Sequence, residues 1–315
     1  MKISVIIPVF NESDNITVMV NCLLAVFDKI DKYSFDILFV DDGSTDDTLD
    51  TIKKNRLAAK CINYISLSRN FGHQNALRAG LEHSDADAVI TMDGDLEHPP
   101  ELIIEMLNRW ELGFNVVYTI RHEHRHLNIF KSFSSNMFYS LLQVISEIEL
   151  KQGMADFRLL DKKVVQALKH YKESDIFYRG LIAWIGFNQS AITYFPGHRH
   201  RGKSKYSIRK MIRLALNGIT SFSLLPLRIT AIAGVIIAFI SFFYGVYAVT
   251  IKLIGNNVVT GWPSVMAGIY FLGGIQLIAL GLIGEYLGRV FMEVKGRPNY
   301  VITESSIPYT HNSRQ

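Results

Sequence analysis

Cysteine is scarce in this chain, which has only Cys22 and Cys61 among its 315 residues. Cys22 falls in a helix-like stretch, and Cys61 opens a strand-like one. We therefore expect both side chains to pack as small hydrophobic groups in a reducing compartment. So few cysteines disfavour a disulfide scaffold and a thiolate metal site.

A strong net charge and the dinucleotide-binding fingerprint are missing too. The formal net charge is +4, a mild bias that suits anionic lipid or phosphate, and we predict no nucleic-acid partner. No G-x-G-x-x-G follows the first strand-like run, which disfavours a dinucleotide oxidoreductase. The N-terminal apolar run is too short for a signal peptide.

Charged side chains are absent from two long stretches near the C-terminus. Residues 229–251 carry none, and residues 263–284 carry none and have Gln276 as their one strongly polar residue. Because a helix of about 20 apolar residues crosses a bilayer core, we predict a transmembrane hairpin within residues 226–290. Two buried core helices are the alternative.

Basic residues flank these two stretches on their outer sides, namely Arg209, Lys210, Arg213, Arg228, Arg289, Lys295 and Arg297. The positive-inside rule then predicts a multi-pass protein of the inner (cytoplasmic) membrane, with both termini in the cytoplasm. We assign residues 1–206 to a cytoplasmic domain and residues 291–315 to a cytoplasmic tail.

A basic amphipathic helix is predicted between these parts, in residues 207–225. Its apolar residues share one face and its basic residues the other, so it is expected to lie at the lipid headgroups, with a plain packing helix as the alternative. The basic run before it, GHRHRGKSKYS, is expected to face headgroups or a phosphate-bearing lipid, unless the attraction to anionic lipid is generic.

Strands and helices alternate from residue 1 to about residue 118. The strand-like runs are rich in β-branched residues and comprise Ile3–Phe10, Phe35–Val40, Cys61–Leu67, Ala88–Met92 and Asn115–Ile120. The helical stretches are Asp14–Lys29, Thr45–Ala58, Gln74–His83 and Pro99–Leu112, the last opening with a double proline. This alternation predicts an α/β fold with a mostly parallel sheet, in which ligands bind beyond the carboxyl ends of the strands.

Acidic residues crowd two of these strand ends. Asp93 and Asp95 bracket Gly94 after the fourth run, a spacing that lets two carboxylates face one pocket while the glycine leaves room for a ligand. Carboxylates are hard oxygen ligands for Mg²⁺ or Mn²⁺, which in turn bind diphosphate. Glu97 can add a third oxygen. A solvated acidic turn is the alternative.

The other acidic cluster, Asp41-Asp42-Gly43-Ser44, has two interpretations. It forms an Asx-type turn in which Ser44 or Thr45 caps the next helix, or an aspartate binds the base or ribose of a nucleotide. Both can hold at once, because the cap and the nucleotide contact use different side chains.

These residues together resemble the membrane-anchored family 2 glycosyltransferases of GT-A fold, which are Rossmann-like. The closer resemblance is to the polyprenyl-phosphate (bactoprenol) glucosyltransferases and the dolichyl-phosphate mannose synthases. The resemblance covers nearly the whole chain, through VIIPVFNE, DDGSTD, SRNFGHQNAL, DGDLEHPPE, DFRLLD, RHRGKSKYS, GITSFSLLPLR and the run from FLGGIQL to KGRPNY. It implies inverting transfer of a single hexose, glucose from UDP-glucose first among the candidates, to undecaprenyl or another polyprenyl phosphate. The product would supply cell-surface glycan or O-antigen modification.

The same resemblance assigns roles to residues of this chain. The nucleotide sugar is bound by Pro8, Glu12, Asp41, Asp42 and Asp93, while Asp93 and Asp95, the latter counted as catalytic, form the diphosphate–metal centre. Phosphate groups are bound by Arg121, Lys131, Ser135, Arg199 and Lys205. Asp156 matches the position usually discussed as the base. We expect it to orient the acceptor or the sugar instead, because a phosphate monoester with a second pKa of about 6 is already largely a dianion.

Two departures from the family pattern are visible. Relatives often carry D-A-D-L-Q-D, whereas this chain has Glu97 and His98 in the last two places, and the added charge can tune metal choice or donor preference. Processive synthases carry Q-x-x-R-W after the acceptor site. Here Arg109-Trp110 lacks the glutamine and comes too early, which favours transfer of one sugar.

Two other functions are compatible with the sequence. One is a GDP-mannose-dependent synthase of the same class, because the donor base cannot be read from these residues. The other is a non-catalytic membrane scaffold that keeps the fold, against which Asp93, Asp95 and Asp156 argue. Small-residue patches such as Gly273-Gly274 permit homo-oligomers without fixing the number of subunits.

Overall fold

The computed structural model describes residues 1–121, 153–173, 176–195, 225–254 and 261–308. The chain divides into two units. The first, here called the sheet unit, comprises residues 1–143, 147–206 and 298–315. The second, the helical unit, comprises residues 144–146 and 207–297. The last residues of the chain therefore fold with the N-terminal part.

Eight strands form one sheet in the described part of the sheet unit. They are β1 (Lys2–Val9), β2 (Ser34–Asp41), β3 (Ile62–Leu67), β4 (Ala88–Thr91), β5 (Val116–Arg121), β6 (Met154–Asp161), β7 (Gln189–Tyr194) and β8 (Ile302–Ser305). Their spatial order is β7-β5-β6-β4-β1-β2-β3-β8. Four neighbouring pairs are parallel, whereas β6 and β8 run antiparallel to their neighbours. The predicted α/β fold with a mostly parallel sheet is confirmed.

Six helices accompany these strands in the described residues of the sheet unit. They are α1 (Ser13–Phe27), α2 (Thr48–Ala58), α3 (His73–His83), α4 (Leu102–Glu111), α5 (Lys162–Lys169) and α6 (Tyr178–Trp184). All five strands and four helices predicted before residue 121 are present. Pro99 and Pro100 precede α4 instead of opening it, because the amides of Leu102 and Ile103 bond to their carbonyls three residues back, as in a 3₁₀-type turn.

The core lies on both faces of the central strands. Residues 3–9 of β1 are all buried, as expected for a parallel strand covered by helices on both sides. The buried residues of α1 recur as Ile16, Met19, Leu23 and Val26, so Cys22 faces outward and is exposed. The prediction that Cys22 packs in the core is therefore wrong, whereas Cys61 is partly buried.

The helical unit contains α7 (Leu225–Ile254) and α8 (Trp262–Lys295), which contact each other. In the described residues, Phe271–Lys295 is long and apolar enough to cross a membrane, and Thr230–Tyr244 is a shorter apolar segment. α8 ends at Gly296, whose φ of +58° provides a left-handed cap. The spans predicted at 229–251 and 263–284 fall within these two helices, and their crossing of a membrane stays a prediction. The amphipathic helix predicted in residues 207–225 stays a prediction, because residues 207–224 lie outside the described residues.

Gly43, just beyond β2, is required by the local packing. Its φ is +68°, and a Cβ there would lie 2.4 Å from the backbone carbonyl carbon of Arg69. Gly113, just after α4, also has a positive φ of +95° but has open space around it. The two glycines therefore differ in whether a side chain would collide with backbone.

Gly43→Ala should lower the thermal unfolding temperature more than Gly113→Ala does. Both variants carry the cost of a left-handed alanine, about 1–2 kcal/mol, but only Gly43→Ala must also displace the Arg69 backbone. Thermal unfolding of the detergent-solubilised full chain measures the difference. Equal shifts in the two variants would contradict the close approach of the two loops.

Candidate active site

A cavity of about 530 Å³ opens at the carboxyl ends of β1, β2 and β3. We call it the β2–β3 pocket. Its lining includes Phe10, Asp41, Ser44, Ser66, Arg69 and Thr303. Most of its lining residues have polar side chains, but Phe10, Leu49 and Leu67 also line it and most of its exposed wall is apolar. The pocket lies where parallel α/β sheets bind their ligands.

Asp41 and Asp42 have different partners although they are adjacent. Asp41 is buried, and its carboxylate accepts hydrogen bonds from the Ser44 amide at 3.1 Å and the Ser66 hydroxyl at 2.9 Å. The two oxygens of Asp42 accept from the amides of Phe71 and Gly72 at 2.7 and 2.9 Å. Asp42 thus fastens the loop after β3, whereas Asp41 lines the pocket.

Burial raises the pKa of the Asp42 carboxyl, and the hydrogen bonds from Phe71 and Gly72 oppose that rise. The Asx-type turn is present at Asp41. The predicted caps are wrong, however: α2 begins at Thr48, whose amide donates to Asp46 at 3.0 Å. The Ser44 hydroxyl instead accepts the Asn11 amide, which ties the loop after β1 to the loop after β2.

Pro8 and Glu12 lie at the end of β1 but do not line the β2–β3 pocket as it is formed by the described residues. Pro8 is buried within the strand. The Glu12 amide donates to the Thr48 hydroxyl at 2.9 Å, and its carboxylate accepts from Asn15 at 2.6 Å. Their nucleotide contacts stay predictions.

The second acidic cluster follows β4. The Asp93 carboxylate lies 3.5 Å from His73 Nε2 and 3.7 Å from His98 Nε2. His98 is buried, stacks on Phe157, and accepts the Asp93 amide at Nδ1. Because Nδ1 accepts, the neutral ring carries its proton on Nε2, toward the Asp93 carboxylate. The histidine that departs from the family pattern therefore closes the loop that holds Asp93.

Gly94 serves chain packing and not ligand access. A Cβ at this position would lie 2.8 Å from Val9 Cγ1. The space beside the glycine is therefore already occupied by β1, which corrects the interpretation that it admits a ligand. The consequence for the site is a tight junction between the ends of β1 and β4.

Glu97 forms an ion pair with an arginine. Its carboxylate pairs with Arg121 Nη1 at 2.5 Å, while Asp95 accepts the Glu97 amide at 3.1 Å. Across the described residues, no three or more His, Cys, Asp or Glu side chains form a group that could hold a metal ion. The three carboxylates predicted as ligands are thus not gathered into one set here.

Two carboxylates at this position still fit a divalent cation of the magnesium type. Such ions usually keep several waters and bind through one or two carboxylates together with phosphates of the substrate. Asp93 is about a third exposed, with 36% of its side chain accessible. Asp93, Asp95 and Glu97 all act electrostatically on the nearby Tyr194 hydroxyl, whose pKa burial raises to about 12. The donor chemistry therefore suits a metal that arrives with a diphosphate.

Asp156 lies on β6, beside the end of β4. The pairing of Thr91 with Arg158 sets this register, and the Thr91 hydroxyl donates to the Asp156 carbonyl at 2.6 Å. The two oxygens of the Asp156 carboxylate accept from Arg179 Nε and Nη2 at 2.8 and 2.7 Å, a bidentate pair. Arg158 Nη2 lies 3.6 Å away.

The two arginines decide the charge of Asp156. Burial alone would raise the pKa of its carboxyl, but the charge and hydrogen bonds of Arg179, and then the charge of Arg158, hold that pKa well below its usual range. Burial lowers the pKa of Arg158 to about 10, which leaves it charged at neutral pH. Asp156 is therefore an ionised side chain with both oxygens engaged, and such a group is a poor proton acceptor.

The phosphate-binding candidates are only partly described. Arg121 ends β5 and forms the ion pair with Glu97. Lys131, Ser135, Arg199 and Lys205 lie outside the described residues, and their role stays a prediction.

Sequence reasoning missed several members of this site. Arg179 and Tyr194 belong to no pattern that we recognised, whereas His73 and Arg158 were quoted within SRNFGHQNAL and DFRLLD without a role. Arg179 reaches Asp156 from α6, 23 residues further along the chain. Sequence spacing does not carry that information.

Residues 197–204, GHRHRGKS, match the letters of the P-loop pattern G-x-x-x-x-G-K-S. They follow β7 and lie outside the described residues, as does the segment that would be the P-loop helix. The match is therefore to the sequence pattern only.

Comparisons with known proteins agree along the whole chain. The Glycosyl transferase family 2 model matches residues 4–169, and the GtrB C-terminal hairpin model matches residues 225–290. Bactoprenol glucosyl transferase of Shigella phage SfII is 38% identical over 305 residues, or 97% of this chain and 98% of that protein. The uncharacterized glycosyltransferase YkcC of Bacillus subtilis is 38% identical, covering 97% of this chain and 94% of that protein. Among solved structures, a mannosyltransferase from Pyrobaculum calidifontis with GDP-Man and Mn²⁺ aligns at TM-score 0.49 and 14% identity, over 70% of this chain and 63% of that one.

Arg179→Gln should destabilise the protein in a pH-dependent way. Without Arg179, only the charges of Arg158 and His73 oppose the effect of burial. The folded-state pKa of Asp156 therefore rises toward or above its unfolded value, and the ionised carboxylate loses stabilisation that protonation no longer takes away. The deficit in unfolding temperature should therefore shrink as pH falls from about 6 to about 3. Thermal unfolding at several pH values measures it.

Arg179→Lys is the matched control, because it keeps the positive charge while losing the bidentate geometry. It should show a smaller deficit with little dependence on pH. A deficit in Arg179→Gln that is constant, or that grows in acid, would contradict the assigned charge state of Asp156.

Proposed function

This chain belongs to glycosyl transferase family 2, and we propose that it transfers a single glucose from UDP-glucose to a polyprenyl phosphate at the cytoplasmic face of the membrane. It is a glycosyltransferase. The observation that carries the choice of acceptor is the 38% identity to a bactoprenol glucosyl transferase over 97% of the chain. A likeness limited to residues 4–169 would support the sugar donor but not the lipid.

We propose that the donor lies across the strand ends. The nucleoside occupies the β2–β3 pocket beside Asp41, and the diphosphate lies beside Asp93 and Asp95. In the sheet order β3-β2-β1-β4, the ends of β2 and β3 lie two and three strand spacings from the end of β4, about 10 and 14 Å. That separation suits the two ends of a nucleoside diphosphate.

A divalent cation held by Asp93 and Asp95 would neutralise the charge that develops on the departing diphosphate. Mg²⁺ and Mn²⁺ both fit these oxygen ligands. His98 fixes the backbone at Asp93 because its Nδ1 accepts the Asp93 amide, and Glu97 balances the charge of Arg121 instead of adding to the ligand set.

The acceptor needs orientation more than activation. A phosphate monoester with a second pKa of about 6 is largely a dianion at neutral pH, so it can attack the anomeric carbon without losing a proton. Asp156 then serves to fix the guanidinium of Arg179, which is about a third exposed. A guanidinium held in this way binds phosphate with defined geometry. Direct displacement would invert the anomeric configuration.

The chain connectivity supports a hairpin with both ends on one side of the membrane. Residues before residue 207 and after residue 297 belong to the same sheet unit. A chain that leaves a folded unit and returns to it must cross a bilayer an even number of times. This supports two crossings, through α7 and α8, and the basic residues that flank them favour the cytoplasmic side for the sheet unit.

Incubation of the purified protein with undecaprenyl phosphate and labelled nucleotide sugars tests the function. We expect a lipid-linked sugar with UDP-glucose and none with GDP-mannose. Transfer from GDP-mannose alone would favour the mannose synthase. Nucleotide binding without any turnover on the whole panel would favour the scaffold.

Asp95→Asn should lower the transfer rate by about 100-fold or more, because it removes a negatively charged ligand from the diphosphate site. Removal of divalent cations by EDTA should abolish transfer in the unmodified protein, and added Mg²⁺ or Mn²⁺ should restore it. Asp85→Asn is the control, since Asp85 is a surface aspartate with 95% of its side chain exposed. Full activity of Asp95→Asn would refute the metal assignment.

A further inference from the structure

The strand β8 is the first described element after the membrane hairpin, and it completes the sheet beside β3. Ser305 pairs with Ile65, Glu304 with Ser66 and Ile302 with Leu67. One step along β3 therefore corresponds to two steps along β8, and the extra residue is Thr303. This is a β-bulge, a feature that redirects a side chain and is frequent next to active sites.

The bulge faces the β2–β3 pocket. Thr303 and Glu304 both line that pocket, together with Asp41 and Ser66. Thr303 is exposed in the structure, and its hydroxyl can donate and accept hydrogen bonds. The pocket assigned to the donor thus has one wall that comes from the far end of the chain.

Ion pairs and hydrogen bonds hold β8 in place. Glu304 pairs with Lys53 at 2.6 Å and accepts the Tyr64 hydroxyl at 2.5 Å. The Tyr64 amide donates to the Ser306 hydroxyl at 2.8 Å, and the Ser306 amide donates back to the Tyr64 carbonyl at 3.0 Å. Because residues on both sides of Glu304 are tied to β3, the backbone at Thr303 is fixed relative to Asp41.

The place of β8 in the sheet determines which part of the donor its side chains can contact. In the order β8-β3-β2-β1-β4, β8 lies four strand spacings from β4, about 19 Å. Asp93 and Asp95 follow β4. A group on β8 is therefore at the nucleoside end of the donor and distant from the diphosphate and the sugar.

We propose that β8 forms one wall of the nucleoside subsite and that Thr303 contacts the base or ribose of the donor. The inference rests on the proposed function. It adds Thr303, which lies outside the acidic motifs at the strand ends, to the nucleoside subsite. Thr303 contributes to affinity for the nucleotide and has no part in binding the metal, the sugar or the lipid.

The test is binding of UDP and of UMP to the full-length protein in detergent, measured by isothermal titration calorimetry. Thr303→Trp should weaken both nucleotides by about tenfold or more and by the same factor, since they share the nucleoside. Thr303→Val, which replaces only the hydroxyl by a methyl group of similar size, should weaken the binding of both nucleotides by about 2- to 13-fold, the loss of one net hydrogen bond. The unfolding temperature should not change in Thr303→Val.

Val301→Trp is the matched control. Val301 precedes the same strand, is 44% exposed and does not line the pocket. It should bind both nucleotides as the unmodified protein does. Unchanged binding in both Thr303 variants, or a loss confined to UDP, would overturn the inference while leaving the proposed function intact. Absence of UDP binding in the unmodified protein would instead overturn the proposed function and this inference with it.

Discussion

Parallel pairing of β4, β1, β2 and β3 is the constraint on which the site depends. Parallel strands end on the same edge of a sheet, so the loops after four successive strands meet there although they are far apart in sequence. The two acidic clusters lie in these loops. Hydrogen bonds between the loops complete the arrangement: Asn11 reaches Ser44, and Asp42 holds the loop that begins α3. The site is therefore a property of the sheet more than of any single motif.

The charges at this edge are balanced locally. Asp156 is buried between two arginines, and Glu97 is matched by Arg121. An unpaired buried charge would be costly, so these pairs let the protein keep several ionised groups close together. Asp93, by contrast, faces two histidines and is a third exposed. Of Asp93, Glu97 and Asp156, Asp93 is therefore the carboxylate best placed to meet a ligand.

Local sequence patterns predicted the strands and helices before residue 121. They did not predict which residues far apart in the chain contact one another. Runs rich in β-branched residues and the helical periods placed the elements before residue 121, and the acidic strand ends indicated the site. Gly94 was misinterpreted because its neighbour Val9 comes from another strand. The partner of Asp156 was missed because Arg179 is 23 residues away, on a helix. β8 carries only four residues and no alternating pattern that would mark it as the edge of this sheet.

The place of β8 also fixes the order in which the protein can be assembled. Tyr64 and Glu304 are 240 residues apart, so a ribosome makes β3 long before the strand that covers its open edge. Both apolar helices are synthesised in that interval. A nascent chain consequently completes its sheet only after both apolar helices have been made, and the edge of β3 stays uncovered until then.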